Sequence, residues 1–148
     1  MNNQIKPLEE AFLQDVWRIE QVAHSHPWKQ SMINDVNSRG ACHHVLVSEE
    51  TVVGYFYAQN IVGEVTLLNI AVDPQQQGKG FGKILVEYFL SVCEEAKAES
   101  AWLEVRESNR KAHNLYESVG FNEVDRRHNY YPTKKGKEDA IIMSYLFI

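Results

Sequence analysis

The sequence predicts a mixed α/β sheet with helices on its flanks. Apolar residues recur at helical spacing in some windows and alternate as in strands in others. Between two such windows, the stretch NIAVDPQQQGKGFGKIL, Asn69 to Leu85, joins a strand to a helix through Gly78, Gly80 and Gly82. The predicted order is β-α-α-β-β-β-α-β-α-β-β.

A helix is predicted from about Leu8 to Ala23, because Leu8, Phe12, Val16, Ile19 and Ala23 fall on one face. His26-Pro27-Trp28 breaks it, and a shorter helical stretch is expected to run to about Ser38. HHVLVSEETVVGYFYAQNIV reads as a hairpin around Glu49-Glu50. In the next strand, EVTLLNIAV, the apolar alternation of Val65 and Leu67 changes phase to Leu68, Ile70 and Val72. Two readings fit that slip: a β-bulge, or a central strand buried on both faces.

Phe81, Leu85, Tyr88, Phe89 and Val92 describe an amphipathic helix. AWLEVRES follows as a strand with Ala101, Leu103 and Val105 on one face and Trp102, Glu104 and Arg106 on the other. NRKAHNLYESVG is a helix with Asn109 near its N-cap and Gly120 at its stop. FNEVDRRHNYY and DAIIMSYLFI, joined by a TKKGKE turn, complete the sheet.

The 148 residues fit a single domain, 1–148, that can bury a core without disulfides or metal. Cys42 and Cys93 are too few and too isolated for a disulfide framework, and the N-terminus lacks a signal-peptide pattern. A cytoplasmic location is therefore expected. With 15 basic and 20 acidic residues the net charge is −5, which argues against a nucleic-acid-coating protein but permits a local basic pocket. No apolar run approaches the roughly 18 residues needed to span a membrane. His43 and His44 point to opposite strand faces, and His24 and His26 lack ligand spacing, so no metal is expected.

Glycine-rich backbone at a helix mouth suits a phosphate, since unshielded N–H groups meet the positive end of the helix dipole. A Walker loop is excluded because Gly82-Lys83 is followed by Ile84, which has no hydroxyl for magnesium. A dinucleotide fingerprint is excluded because Lys83 stands where its third glycine belongs. Glu104, mid-strand among apolar neighbours, is either a working carboxylate or half of an ion pair with Arg106 or a neighbouring strand.

Gln77-x-x-Gly80-x-Gly82 after AVDP resembles the loop with which the GNAT superfamily of N-acetyltransferases holds the pyrophosphate of coenzyme A. AWLEVRESNRKAHNLYESVGF, HNYYPTKKGKEDAIIM and IEQVAHSHPW resemble the bacterial ribosomal-protein-alanine N-acetyltransferases, the RimI family. The similarity covers nearly the whole chain and is weakest from about Gln30 to Val62.

The resemblance implies a mostly antiparallel sheet with a bulge in the fourth strand. It implies acetyl transfer from acetyl-CoA to the α-amino group of an N-terminal alanine on a small-subunit ribosomal protein, by direct attack in a ternary complex. Glu104 would be the proton acceptor and Tyr116 the proton donor to the leaving thiolate, a modestly uphill transfer for an ordinary phenol. Ile70, Ala71 and Val72 would offer backbone to the pantetheine arm and acetyl carbonyl. Gly78, Lys79, Gly80, Phe81, Gly82 and Lys83 would cradle the pyrophosphate, and Asn109, if it is more than an N-cap, would bond the pantetheine or its neighbouring loop. Trp28, Tyr130 and Tyr131 would wall the acceptor site. Another protein terminus, a small amine, or a non-catalytic acetyl-CoA-binding module are the alternatives; the last would not need both Glu104 and Tyr116.

Overall fold

A computed structural model describes residues 2–148. It contains β1 (Asn3–Pro7), α1 (Leu13–Ala23), α2 (Gln30–Ile33), β2 (His44–Ser48), β3 (Thr51–Ile61) and β4 (Glu64–Val72). Then come α3 (Phe81–Glu95), β5 (Ser100–Arg106), α4 (Arg110–Ser118), β6 (Asn122–Thr133) and β7 (Gly136–Leu146). This is the predicted order, and its leading strand is β1. One sheet runs β1-β2-β3-β4-β5-β7-β6, and every neighbouring pair is antiparallel except β4 and β5.

Three boundaries differ from expectation. The first helix is α only from Leu13, because Glu10–Phe12 forms a 3-10 turn and the Leu8 N–H donates to the His43 carbonyl. Helix α2 stops at Ile33, well short of Ser38. Asn34, Asp35, Asn37 and Ser38 follow it, side chains that compete for backbone hydrogen bonds and favour turns. The last hairpin is tighter than predicted, with Thr133 opposite Gly136 and only Lys134-Lys135 between them.

Each face of the sheet buries its own core. On one face α3 and α4 cover Leu46, Val53, Phe56, Val65, Leu67 and Leu103, with Phe81, Leu85 and Phe89 supplied by α3. On the other face α1 and α2 bring Val16, Ile19 and Ile33 onto Val45, Tyr55 and Tyr57. His43 and His44 divide between the faces as predicted: His43 packs on Tyr57, and His44 stacks on Phe56. The strand buried on both faces is β3, whose residues Val52–Ala58 are all buried. The phase slip in β4 is a bulge.

The register shows it directly. Tyr57 pairs with Asn69 and Ala58 with Leu67, so Leu68 is the extra residue. The bulge keeps Leu67 and Ile70, three apart, on the α3 face, while Asn69 turns toward α1. Beyond it β4 leaves β5: their parallel pairing is confined to Glu64–Thr66 with Ser100–Trp102. From Leu67 to Val72 and from Leu103 to Arg106 the two strands form an open fork. This fork positions the site.

Candidate active site

Two cavities meet at the fork. A groove of about 490 Å³ runs between the end of β4, the glycine turn, the start of α3 and the start of α4. A smaller cavity of about 210 Å³ fills the fork between Leu67–Ile70 and Leu103–Arg106. His24, Ile70, Asn109 and Tyr116 line both.

The groove gathers most of the residues expected there: Ile70, Ala71, Val72, Gly78, Gly80, Phe81, Gly82, Lys83 and Asn109. Gly78 and Gly80 both have φ +83°, the left-handed region that disfavours side chains. A Cβ built on either meets nothing within 4 Å, so the backbone there faces open groove. Gly80 caps α3, whose first turn leaves N–H groups without helical acceptors. Asp73 shapes the approach by accepting from the Gln75 N–H at 3.1 Å, and Arg18 holds its other oxygen at 3.1 Å. Lys83 lines the groove, joined by Lys111 of α4, which sequence reasoning missed. Lys79 turns away, its Nζ donating to Gln76 Oε1 at 2.8 Å. Phe81 offers only its backbone side, since its ring is buried in the core.

Asn109 caps α4 by accepting the Ala112 N–H at 3.2 Å, which leaves its amide NH₂ toward the cavities it lines. Tyr116 is buried about two turns further on, against Phe121. Burial, reinforced by the nearby Tyr131, raises its phenol well above the usual range. Full proton transfer to a thiolate is therefore more uphill than an ordinary phenol would make it. A thiolate desolvated in the same place would itself hold a proton more tightly, which narrows the gap.

Glu104 lies across the fork, on the face opposite Leu103 and Val105 as predicted. Its ion-pair partner is Arg127 of β6, with Nε 2.9 Å from Oε1. Their side chains are 30% and 53% exposed, so the pair is weak and exchangeable. The Arg106 alternative does not form: that guanidinium donates to the Pro132 carbonyl at 2.9 Å and meets Glu138 at 3.4 Å. It also contacts His26 at 3.1 Å and lies over the Tyr131 ring at 4.4 Å. Arg106 thus ties the α1–α2 connection to the last hairpin.

A third cavity, of about 610 Å³, opens on the outer side of Glu104. Leu68, Trp102, Tyr131 and Arg127 line it, with Glu64 and Ile142. Burial, then the charge of Glu104, pushes the Tyr131 phenol up to about 12. Tyr130 is 48% exposed and stacks beneath Arg127 at 5.1 Å. Trp28 is not among the residues lining these cavities; its indole packs edge-on to Tyr57 at 5.3 Å. Arg106 and Arg127, both missed as site residues, stand inside the LEVR and RRHNYY blocks, but no local pattern pairs them with their partners.

Among the described residues no cluster of His, Cys, Asp or Glu is arranged to hold a metal ion. Burial pushes the Cys93 thiol up to about 12, so it is no nucleophile.

Comparison with known proteins accounts for this geometry. The acetyltransferase (GNAT) family profile matches residues 9–121. The ribosomal protein bS18-alanine N-acetyltransferase of Salmonella typhimurium is 41% identical over 142 residues, 96% of each chain. The crystal structure of the ribosomal-protein-S18-alanine N-acetyltransferase from Escherichia coli superposes with a TM-score of 0.94 at 40% identity, covering 98% of this chain and 94% of that one. Arabidopsis thaliana NAA60, solved with acetyl-CoA, shares the fold at a TM-score of 0.88 and 17% identity, covering 98% of both chains. The chain belongs to the acetyltransferase (GNAT) family, and is an acetyl-CoA-dependent N-acetyltransferase.

Proposed function

We propose that this enzyme acetylates the N-terminal alanine of ribosomal protein S18, with Glu104 as proton acceptor and Tyr116 as proton donor. The observation that carries the reading is the junction at the fork: Tyr116 borders the coenzyme-sized groove, Glu104 borders the outer cavity, and both line the space between. The relatives that match nearly the whole chain are named for S18-alanine acetylation, which supports this acceptor.

Acetyl-CoA supplies a thioester whose carbonyl carbon the acceptor amine attacks in a ternary complex, the C–N bond forming as C–S breaks. The groove fits this molecule, because Gly78 and Gly80 present backbone where a Cβ would intrude, beside Lys83 and Lys111. Ile70 to Val72, unpaired on the β5 side, offer backbone groups to the pantetheine arm. The outer cavity admits a peptide terminus, with Tyr131 and Arg127 on its wall and Tyr130 stacked under Arg127. Its ammonium reaches Glu104 by displacing Arg127, which costs little for so exposed a pair.

Two experiments test the two halves. Synthetic peptides carrying the S18 N-terminus, incubated with acetyl-CoA, should gain one acetyl group on the α-amino nitrogen of the terminal alanine by tandem mass spectrometry. An unmodified peptide alongside an acetylated polyamine or other small amine would transfer the activity to a different acceptor. For the groove, coenzyme A should raise the melting temperature, since a ligand bound only by the native state stabilises it. Gly80→Val forces a β-branched residue to φ +83° and fills the open groove, so the coenzyme-dependent shift should disappear. A wild-type shift in that variant would move the pyrophosphate site elsewhere.

A further inference from the structure

Acetylation of an ammonium releases two protons from one nitrogen. One ends on the coenzyme sulfur, whose bond to carbon gives up its electron pair, and the other ends in solvent. Glu104 and its partly exposed surroundings account for the solvent route. The second proton needs an acceptor on the Tyr116 side of the fork, and a buried network supplies one.

Glu20 of α1 is 1% exposed, yet three donors satisfy it. The Tyr55 hydroxyl donates to Oε1 at 2.5 Å, Asn69 Nδ2 donates to Oε1 at 2.8 Å, and the Trp28 N–H donates to Oε2 at 2.8 Å. A carboxylate that accepts all three fixes the Asn69 amide with its NH₂ toward Glu20. Asn69 Oδ1 then faces His24 Nε2 at 3.0 Å and can only accept, so that nitrogen must carry the hydrogen. In the neutral ring Nδ1 is consequently the bare lone pair. His24 Nδ1 makes no hydrogen bond to another described residue, and the His24 ring lines both cavities where they join, with Tyr116.

We propose that His24 is a further catalytic residue of the acetyl transfer. Its Nδ1 takes the second amine proton and returns it to the Tyr116 oxygen, which has given its own proton to the sulfur. Asn69 and Glu20 are positioning residues that set the tautomer. The bulge at Leu68 is what turns Asn69 toward α1 for this purpose. The charged and titratable groups facing the junction are His26 from the α1–α2 connection, Glu104 and Arg106 from β5, Lys111 and Tyr116 from α4, Lys83 from α3, and Tyr131 from β6. Of these, His26 is engaged by Arg106 and Glu104 by Arg127, and the His24 ring meets Asn69 and, at 3.6 Å, the Glu20 carboxylate through Nε2 alone, which leaves Nδ1 as the imidazole nitrogen placed to accept.

The inference rests on the direct-attack reading above, and its test separates the two. Nitrogen-resolved NMR of the histidine rings, in the substrate-free enzyme at alkaline pH, should show His24 as the Nε2–H tautomer. Asn69→Leu should lose that preference. A ring protonated at Nδ1 in the wild type would overturn the proposal whether or not any acceptor has been identified. In turnover assays on the S18 peptide, His24→Gln keeps a donor toward Asn69 but cannot accept a proton. Its kcat should fall on the order of tenfold to a hundredfold, with both Michaelis constants within about twofold of wild type. Added imidazole should restore part of the loss in His24→Ala. Wild-type kcat in His24→Gln, or a raised Michaelis constant with kcat unchanged, would reduce His24 to a wall of the cavity.

Discussion

Glu104→Gln is expected to lower kcat by about a hundredfold or more while leaving coenzyme affinity nearly intact. The side chain stands on β5 opposite Ile142, outside both cores, so the isosteric amide should not disturb folding. Its oxygen can still accept from Arg127 Nε, which preserves the local contact at 2.9 Å. What is lost is the proposed proton acceptor. An α-amino group titrates near pH 8, so at neutral pH most acceptor molecules are ammonium ions awaiting deprotonation. Raising the pH supplies more neutral amine, and the variant should recover part of its deficit while the wild type gains less. Steady-state kinetics across this range, with coenzyme binding measured separately, give the answer. Wild-type turnover at neutral pH would leave Glu104 as the partner of Arg127 and nothing more.

Tyr116→Phe should cost a comparable factor in kcat, without a matching rise in the Michaelis constant for acetyl-CoA. The ring is buried against Phe121 at 6.0 Å, and phenylalanine retains that packing and almost all the buried area. Only the hydroxyl of a residue that lines both cavities is removed. Because burial raises the phenol above its ordinary value, the hydroxyl keeps its proton as pH rises. The donor form is therefore fully present throughout the working range, and the variant's deficit should be flat across roughly pH 6 to 9. A variant that melts early, and whose folded fraction turns over normally, would make Tyr116 a packing residue.

Local pattern carried the architecture a long way. The order of elements after β1 follows from periodicity, and the start of α3 and the end of β4 fall where Phe81 and Val72 predict. The slip from Leu67 to Leu68 marked where the pattern changes face, and the strand register, with Leu68 as an extra residue, decided for a bulge over burial on both faces. The glycine turn announced its conformation for a similar reason: φ +83° at Gly78 and Gly80 is a property of single residues.

Contacts between distant segments were not legible in this way. In sequence the partner of Glu104 was Arg106 or a neighbouring strand, and the choice of Arg127 depends on the registers that place β6 beside β7 and β7 beside β5. Trp28 carried an aromatic signal that fits a substrate wall equally well, yet its ring packs on Tyr57. The Glu20 network joins residues 35 and 49 positions apart, so no window of sequence contains it. By itself the sequence determined most of the elements, the phase slip in β4 and the glycine turn, because each is set by backbone preference and nearest-neighbour spacing. The tertiary structure alone decided which charged and hydrogen-bonding groups face one another across the fork, because those pairings depend on strand register and on the splay of β4 from β5.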